Sequence, residues 1–360
     1  MIVFVHLFND RSGSPKMLLQ SVKALYSAGC KVETLTSNND NGFLNDVPGV
    51  RRNIFYRRSE NKILTLFFFL ISQVYLFFYC FRYWRQNVVF HVNTMMPFGA
   101  ALSAFLMRKK VVYHIHETSI KPELLKKFLR FFIKLTADHV IFVSNYLKDE
   151  EGFAGKSQVV IYNSIDALPC VVDRTDLFSS SAPFNVLMVC SLKKYKGVDE
   201  FVEIAHRLAR DERFSFTLVL NAEQYEIDAY FMGRSLGNLS IFSPQSDLSA
   251  FYRDASLLLS LSRPDEWIET YGLTIVEAMA YSLPVIVPPV GGPAELVEHG
   301  QQGFQASCYD CSEIVNYIQL LSSDSDLYAR FSNSAYHRAM DFLPEFYERN
   351  IIQFYREKVL

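Results

Sequence analysis

Two glutamates eight positions apart are the strongest candidates for binding chemistry in this sequence. Glu269 and Glu277 enclose Gly272, and the apolar spacing after this glycine predicts a helix. A helix N-terminus offers unpaired N–H groups and the positive end of the helix dipole, which suits a diphosphate. Glu277, one turn into the helix, is placed to bind vicinal hydroxyls, as on a ribose, and Glu269, just outside it, to bind the hydroxyls of a sugar. An exposed acidic loop before a core helix is the alternative interpretation.

Two further candidates lie in the first half of the chain. Gly13 belongs to a Ser-Gly-Ser-Pro loop after the first predicted strand, and this composition suits a loop near a phosphate or a sugar. A plain capped turn is the alternative, and the missing G-x-G-x-x-G spacing argues against dinucleotide binding. His116 ends a predicted strand and would point at a ligand, with His114, on the same side by alternation, as the competing candidate.

We expect neither a metal nor a cofactor. Asp324 and Asp326 form a D-x-D sequence, but they stand at the start of a predicted helix and are typical of an N-cap. Cys308 and Cys311 form one C-x-x-C without a second pair or nearby histidines, so a metal or redox role is the less favoured alternative. Most of the six cysteines sit singly in apolar runs, which is typical of free thiols in a reducing compartment.

Short apolar runs alternate with helical periods along the chain and predict two parallel sheets covered by helices. The strands predicted in the first half are Ile2–Leu7, Lys31–Thr36, Val88–Val92, Val111–His116, His139–Val143 and Val159–Tyr162. Those predicted in the second half are Asn185–Val189, Phe216–Leu220, Leu239–Phe242, Leu257–Leu261 and Pro284–Val287. The Ser- and Pro-containing stretch 166–184 predicts a linker.

We therefore expect one domain over residues 1–170, a second over 171–339, and a C-terminal helix over about 340–360 that returns to the first domain. Ligands of open parallel sheets bind beyond the carboxyl ends of the strands. Two such domains facing each other would enclose a deep cleft, where we expect the active site.

The small net charge of −2 hides an asymmetry between the two halves. Residues 1–170 carry 21 Lys and Arg against 12 Asp and Glu, whereas residues 171–360 carry 15 against 26. A basic first domain suits an anionic surface or acceptor. Nucleic acid is not predicted, because no element combines a basic stripe with stacking aromatic residues.

Two segments of the first half point to lipid. Ile63–Phe81 is long and apolar enough for a membrane span, although a helix buried in the domain or partly touching lipid is the favoured interpretation. The stretch Lys121–Leu135 places Lys126, Lys127 and Arg130 beside Leu and Phe, as in helices that lie in a membrane interface, or alternatively on a solvated face over a core. Because the N-terminus reads as a strand and not as a signal peptide, we expect a cytoplasmic protein, peripheral at the inner face of the membrane.

The segment from Glu269 to Glu277 resembles the E-x7-E signature of the family 4 retaining glycosyltransferases, which have the GT-B fold. Five other stretches resemble parts of this family and occur in the same order along nearly the whole chain. They are Ala137–Ser144, Val159–Asp166, Cys190–Gly197, Val290–Glu295 and Gly300–Phe304.

This resemblance implies a metal-independent enzyme that moves a hexosyl unit from a UDP- or GDP-linked sugar to a saccharide acceptor, with retention. It implies that Lys196 neutralises the donor diphosphate and that His116 and Glu269 serve catalysis. We expect Gln245 to lie where the nucleobase is recognised. The predicted donor-binding residues are Gly13, Ser191, Lys193, Lys196, Gln245, Glu269, Thr270, Tyr271, Gly272, Leu273, Thr274 and Glu277. The usual setting of such relatives is bacterial surface polysaccharide assembly on a lipid-linked acceptor.

The sequence departs from the family at two positions. Ser191 stands where the family commonly has an arginine that grips the diphosphate, and Lys193 or Lys194 can supply charge but not the fork geometry. Asn163-Ser164 replaces the more usual Asn-Gly. The alternatives are therefore an epimerase or hydrolase of the same fold, a catalytically inactive partner subunit, and an integral membrane protein anchored through residues 63–81.

Overall fold

A computed structural model gives the fold and describes residues 1–39, 41–59, 61–169, 174, 183–234, 237–245 and 247–360. The chain divides into two compact units, which we describe separately. Unit 1 comprises Met1–Ser164 and Pro344–Leu360, and unit 2 comprises Ile165–Leu343. Most of the predicted linker at 166–184, with Cys170, lies outside the described residues.

Unit 1 contains a seven-stranded sheet in which every pairing is parallel. Its strands are β1 (Ile2–Val5), β2 (Val32–Ser37), β3 (Val50–Ile54), β4 (Val89–Asn93), β5 (Val111–Ile115), β6 (His139–Phe142) and β7 (Ser157–Val160). The order is β3-β2-β1-β4-β5-β6-β7, so the direction of winding switches between β1 and β4. The loops after β1, β4 and β5 therefore lie where open parallel sheets bind ligands.

Helices connect these strands. They are α1 (Gly13–Ser27), α2 (Lys62–Cys80), α3 (Phe98–Leu106), α4 (Glu123–Thr136) and α5 (Asn145–Glu151), with 3-10 turns at Phe43–Asp46 and Phe81–Tyr83. The strands between them are buried almost throughout, which is why they read as continuous apolar runs in the sequence. The exceptions are β3 and β7, which form the two edges of the sheet and are partly exposed.

Unit 2 contains a six-stranded parallel sheet in the order β10-β9-β8-β11-β12-β13. The strands are β8 (Phe184–Ser191), β9 (Phe214–Asn221), β10 (Leu239–Phe242), β11 (Leu257–Leu259), β12 (Val285–Val287) and β13 (Gly303–Gln305). The helices are α6 (Val198–Arg207), α7 (Gln224–Phe231), α8 (Ser249–Asp254), α9 (Leu273–Ala280), α10 (Gly292–Leu296), α11 (Cys311–Ser323) and α12 (Ser325–Ala339), with 3-10 turns at Lys194–Lys196 and Met340–Phe342.

One hydrophobic cluster of unit 2 joins its strands to its helices. Val186, Leu218 and Ile286 on its strands pack with Phe201 of α6 and Ile314 of α11. Apolar residues at helical spacing on α6 meet the buried faces of the strands, so the two periodicities of the sequence converge on one core.

The chain ends in unit 1. After α12, the helix α13 (Pro344–Phe354) and a π-helical turn at Tyr355–Val359 pack on the first sheet. The Tyr347 hydroxyl lies 2.6 Å from Ser21 Oγ, and the Tyr355 hydroxyl lies 2.7 Å from His91 Nδ1. The predicted fold class, two Rossmann-like parallel sheets with a C-terminal helix returning to the first, is therefore confirmed.

Asp324 caps α12, as predicted for the D-x-D sequence, because its side chain accepts a hydrogen bond of 2.9 Å from the Leu327 N–H. Cys308 and Cys311 are buried free thiols, and burial raises the pKa of Cys308 to about 11. Among the described residues, no group of three His, Cys, Asp or Glu side chains could hold a metal ion.

Candidate functional site

Glu269 is held by two glycines that follow β12. The Gly292 N–H donates a hydrogen bond of 2.9 Å to the Glu269 carbonyl oxygen. A Cβ on Gly291 would lie 2.5 Å from that same oxygen, and Gly291 has φ 77°, so this close approach requires glycine. The loop of Gly291 and Gly292, which we call the glycine loop, therefore holds the backbone of Glu269 in place.

The helix α9 begins at the predicted place. Gly272 is its N-cap with φ 113°, a conformation that L side chains rarely adopt, and the Ile275 N–H donates to the Gly272 carbonyl at 3.0 Å. Leu273 and Thr274 form the first turn and are partly exposed. Their N–H groups have no preceding helical turn to bond to, which leaves them available to an anion.

Glu277 lies in α9 and is oriented by a tyrosine from another helix. The hydroxyl of Tyr252, in α8, donates a hydrogen bond of 2.9 Å to Glu277 Oε2. Burial and then the neighbouring Glu277 carboxylate raise the pKa of Tyr252 well above its usual value, so this hydroxyl keeps its proton. Tyr252 is a site residue that the sequence analysis missed, because nothing near it in the sequence links it to Glu277.

Lys196 meets Glu269 directly. The Lys196 ammonium group forms an ion pair with Glu269 Oε2, although the two residues are 73 positions apart. Burial lowers the pKa of Lys196, but the Glu269 carboxylate outweighs burial and raises it, so Lys196 stays charged. The ammonium group sits on a 3-10 turn, and the next residue, Gly197, has φ 80° and would place a Cβ 2.1 Å from the Leu261 carbonyl oxygen.

The other predicted donor-binding residues of the segments around Lys196 and Glu269 differ in how far they are exposed to solvent. Ser191 ends β8, and its carbonyl accepts a hydrogen bond of 2.7 Å from the N–H of the exposed Lys193. Thr270 approaches the glycine loop through its backbone, since a Cβ on Gly292 would lie 2.4 Å from the Thr270 carbonyl oxygen. Tyr271 is only 3% exposed and packs edge-on against Phe342, so its ring belongs to the core of unit 2. The predicted role of Tyr271 in donor binding stays a prediction.

Gln245 follows β10 and is exposed. Its side-chain amide donates to the Ser243 carbonyl oxygen at 3.0 Å, within its own loop. The neighbouring Phe242 packs edge-on against Phe251, with ring centroids 5.0 Å apart. This hydrogen bond stays within the loop and does not test the predicted place of Gln245 at a nucleobase, which stays a prediction.

Unit 1 gathers polar side chains at the carboxyl ends of three adjacent strands. His116 Nε2 lies 2.9 Å from Asn93 Oδ1, and Asn93 Nδ2 lies 3.1 Å from His6 Nδ1. Asn93 Nδ2 also donates to the Ser14 carbonyl at 3.2 Å, which ties this cluster to the loop that carries Gly13. Asn93 and His6 were missed in the sequence, where the signal was only a polar residue at the end of an apolar run.

His116 is the better placed of the two candidate histidines. His114 is fully buried, whereas His116 is partly exposed, and the two rings lie 4.3 Å apart. Burial lowers the pKa of His116 well below its usual value, so it is a neutral hydrogen-bonding group at pH 7. Next to it, burial raises the pKa of Glu117 to about 7, although the Met95 N–H donates to its carboxylate at 2.7 Å.

Lys126 and Arg130 share one buried carboxylate of unit 1. Lys126 Nζ lies 2.6 Å from Glu151 Oε1, and Arg130 pairs with Glu151 Oε2. Glu151 is buried and is neutralised by these two partly exposed cations, so the three side chains together keep one positive charge. The predicted role of Lys126 and Arg130 at an acceptor or a membrane stays a prediction. Lys127 alone of the three is exposed.

Two family models match the chain in succession. The model Glycosyltransferase Family 4 matches residues 11–167, and the model Glycosyl transferases group 1 matches residues 173–338. An uncharacterized glycosyltransferase of Methanocaldococcus jannaschii is 26% identical over 249 residues, which cover 66% of this chain and 66% of that protein. Several curated relatives are matched over two thirds of their own length or less.

Solved structures resemble the whole chain in fold. HepE from Anabaena, in complex with UDP and glucose, aligns over 99% of both chains with a TM-score of 0.80 and 19% identity. The lipopolysaccharide outer core galactosyltransferase WaaB in its apo form aligns over 99% of both chains with a TM-score of 0.73 and 16% identity.

Proposed function

We propose that this chain transfers a hexosyl unit from a nucleoside diphosphate sugar to a saccharide acceptor, with retention. The premise is that the chain belongs to the GT-B glycosyltransferases through its family 4 and group 1 domains. The observation that carries the proposal is the ion pair between Lys196 and Glu269 beside the N-terminus of α9. A cation, a helix N-terminus and a carboxylate are the three groups that a diphosphate joined to a sugar requires.

The donor is bound through unit 2. Its diphosphate forms an ion pair with Lys196 and accepts hydrogen bonds from the N–H groups of Leu273 and Thr274. Its ribose hydroxyls donate hydrogen bonds to Glu277. When the diphosphate draws Lys196 away, Glu269 loses its partner and can accept hydrogen bonds from the sugar hydroxyls. Binding of the donor thus exchanges one ion pair for two interactions, which limits binding of a free sugar or a free phosphate.

The reaction needs stabilisation of a leaving group more than a strong base. The bond between the anomeric carbon and the diphosphate oxygen breaks, and the electron pair leaves on the diphosphate, where Lys196 and α9 stabilise it. The acceptor oxygen forms its bond to the same face of the carbon, and its proton passes to the departing phosphate oxygen. A double displacement would need two carboxyl groups about 5–5.5 Å apart at the reacting carbon, and Glu277 is already assigned to the ribose.

In this proposal, unit 1 binds the saccharide acceptor. Neutral His116, held by Asn93, can contact a sugar hydroxyl or the charge that develops on the ring, but does not act as a nucleophile. The basic composition of residues 1–170 suits an anionic, lipid-linked saccharide, and WaaB, a structural neighbour, is by its name a lipopolysaccharide galactosyltransferase. We therefore place the enzyme in bacterial surface polysaccharide assembly, peripheral at the cytoplasmic face of the membrane.

Calorimetry on the purified protein with UDP- and GDP-linked sugars tests the proposal. We expect micromolar to millimolar binding of one nucleotide class and product only when an acceptor is added. An inactive partner subunit would bind neither donor, and an epimerase or hydrolase would consume the donor without an acceptor.

Glu277→Ala is expected to weaken binding of the nucleotide about 10- to 100-fold, because hydrogen bonds to a charged group are lost. The dissociation constant of the matching free nucleoside diphosphate measures this. Glu298→Ala, an exposed glutamate of the same unit, is the matched control and should bind as the wild type does. Equal dissociation constants for wild type and Glu277→Ala would refute the ribose assignment.

Tyr252→Phe is expected to weaken the same binding about fivefold to tenfold, because one hydrogen bond that orients Glu277 is removed while the ring remains. Since Tyr252 acts through Glu277, the Tyr252→Phe and Glu277→Ala effects should not add in the double variant. Fully additive effects would show that Tyr252 contributes by another route.

A further inference from the structure

The helix α2 has an apolar exposed face, whereas its buried face combines apolar with polar side chains. Its buried face carries Ser72 and Gln73, and Gln73 Oε1 accepts a hydrogen bond of 3.0 Å from the Gly99 N–H. Nine large apolar or aromatic side chains on the helix are instead 37–79% exposed. They are Ile63, Leu64, Leu66, Phe67, Leu70, Ile71, Val74, Tyr75 and Phe78. A surface of this kind requires an apolar partner.

Despite its composition, α2 is a packed element of unit 1. The segment Ile63–Tyr83 is long and apolar enough to cross a membrane, and 28% of the residues in its apolar window are buried. However, a Cβ on Gly99 of α3 would lie 2.2 Å from the Gln73 carbonyl oxygen, so the backbones of α2 and α3 touch. A span would have to break this contact and expose Ser72 and Gln73 to lipid.

The helix α4 continues the same surface. Its exposed residues follow helical spacing and combine apolar side chains with lysine. They are Leu124, Lys127, Phe128, Phe131, Lys134 and Leu135. Phe98 of α3 joins the two helices, because its ring lies 6.0 Å from Phe69 of α2 and 5.2 Å from Phe128 of α4. We call the exposed apolar residues of α2 and α4 the apolar face.

Cations surround the apolar face. Residues 51–134 contain fifteen Lys and Arg but only three Asp and Glu. Lys126 and Arg130 form ion pairs with Glu151. The exposed cations lie at the ends of α2 and α3 and on the outer side of α4. They include Arg57, Arg58, Arg82, Arg85, Arg108, Lys127 and Lys134. Trp84, an aromatic residue typical of membrane interfaces, is exposed among them.

We infer that the apolar face docks on an anionic lipid bilayer, with α2 and α4 lying in the interface and not across it. Apolar side chains would enter the boundary between headgroups and acyl chains, and the surrounding cations would meet anionic headgroups. A second copy of this chain is a poorer occupant, because its own excess of cations would repel this one. The inference extends the proposed function, whose lipid-linked acceptor would be met at this bilayer.

Flotation with vesicles of phosphatidylcholine, with or without phosphatidylglycerol, tests the inference on the full chain. We expect binding to the anionic vesicles and much weaker binding to the neutral ones. Phe67→Ser with Phe131→Ser should weaken binding about tenfold or more, because two exposed rings no longer enter the interface. Lys127→Gln with Lys134→Gln should weaken binding about fivefold per lysine, and only to anionic vesicles.

The matched control is Tyr225→Ser with Met232→Ser in unit 2, two residues at least as exposed as the phenylalanines, which should leave vesicle binding unchanged. Absence of vesicle binding, or a dimer that the phenylalanine variants dissociate, would overturn the inference. So would attachment that persists in high salt and carbonate and is lost only in detergent, which would indicate a span. Donor calorimetry without vesicles is run on the same samples, so a failure of the proposed function is seen separately.

Discussion

Lys196→Met is expected to lower kcat for glycosyl transfer by about 10² to 10³, because the charge that stabilises the departing diphosphate is removed. The loss should appear mainly in kcat, since negative charge on the diphosphate is greatest in the transition state. Binding of the donor should weaken less, because the N-terminus of α9 still contacts the phosphates. Initial rates and calorimetry with the same nucleotide sugar separate the two effects.

Because Lys196 forms an ion pair with Glu269, a variant of Glu269 provides a second test of the same site. Glu269→Gln keeps the shape of the side chain but removes the charge that holds Lys196 in the free enzyme. We expect its kcat to fall by about 10² or more, because the sugar hydroxyls lose a charged acceptor in the transition state. In the free Lys196→Met enzyme, Glu269 is left partly buried without its cation, so the effects of Lys196→Met and Glu269→Gln on donor binding should not simply add.

The matched control is Arg210→Met, which removes one exposed positive charge from the same unit. Its kcat should stay within a factor of about two, because a single surface charge is screened. If Lys196→Met and Arg210→Met had the same small effect, Lys196 would not contact the diphosphate. If the changes in the donor dissociation constant were simply multiplied in the double variant, Lys196 and Glu269 would act independently and the exchange of partners would be refuted.

The sequence predicted both sheets because buried parallel strands are apolar on both faces, and this leaves a continuous signal. The edge strand β3 escaped prediction, since its segment Val50–Ile54 contains two arginines and an asparagine and is only partly buried. The short β13 escaped for another reason. Gly303 in that strand would place a Cβ 1.8 Å from the Val285 carbonyl oxygen, so a glycine that reads as a turn serves close packing of two strands.

Within the site, local signals were predictable and distant pairings were not. The cap of α9 follows from Gly272 and the residues after it, because a helix start is a local event. The pairing of Lys196 with Glu269 and of Tyr252 with Glu277 depends on the order of strands in the sheet, which no local pattern contains. The pairing of Lys126 and Arg130 with Glu151 is likewise a contact between separate helices, which helical spacing alone could not show.

Lowering the pH from 7 to 5 is expected to destabilise unit 1 by about 2 kcal/mol for each histidine that the fold keeps neutral. Burial lowers the pKa of His6 to about 4 and of His91 to about 3, and it lowers those of His114 and His116 well below the usual value. In the unfolded chain these groups take up protons near pH 6.5. Their contribution to stability is therefore complete above pH 6.5 and is lost as the pH falls towards the native pKa values. Glu117 offsets about one such contribution, because burial raises its pKa to about 7 and the native carboxyl takes up its proton before the unfolded one does.

Amide hydrogen exchange of β4 and β5 measures this loss in unit 1 alone. His114→Leu provides the critical variant, because neither ring nitrogen of His114 has a hydrogen-bond partner among the described residues, so an apolar side chain can replace it. The difference in protection between pH 7 and pH 5 should shrink by about 2 kcal/mol in this variant. His337→Leu, at an exposed position of unit 2, should leave the difference unchanged. Equal protection at both pH values in the wild type would contradict the prediction, since the native unit would then accept these protons without loss of stability.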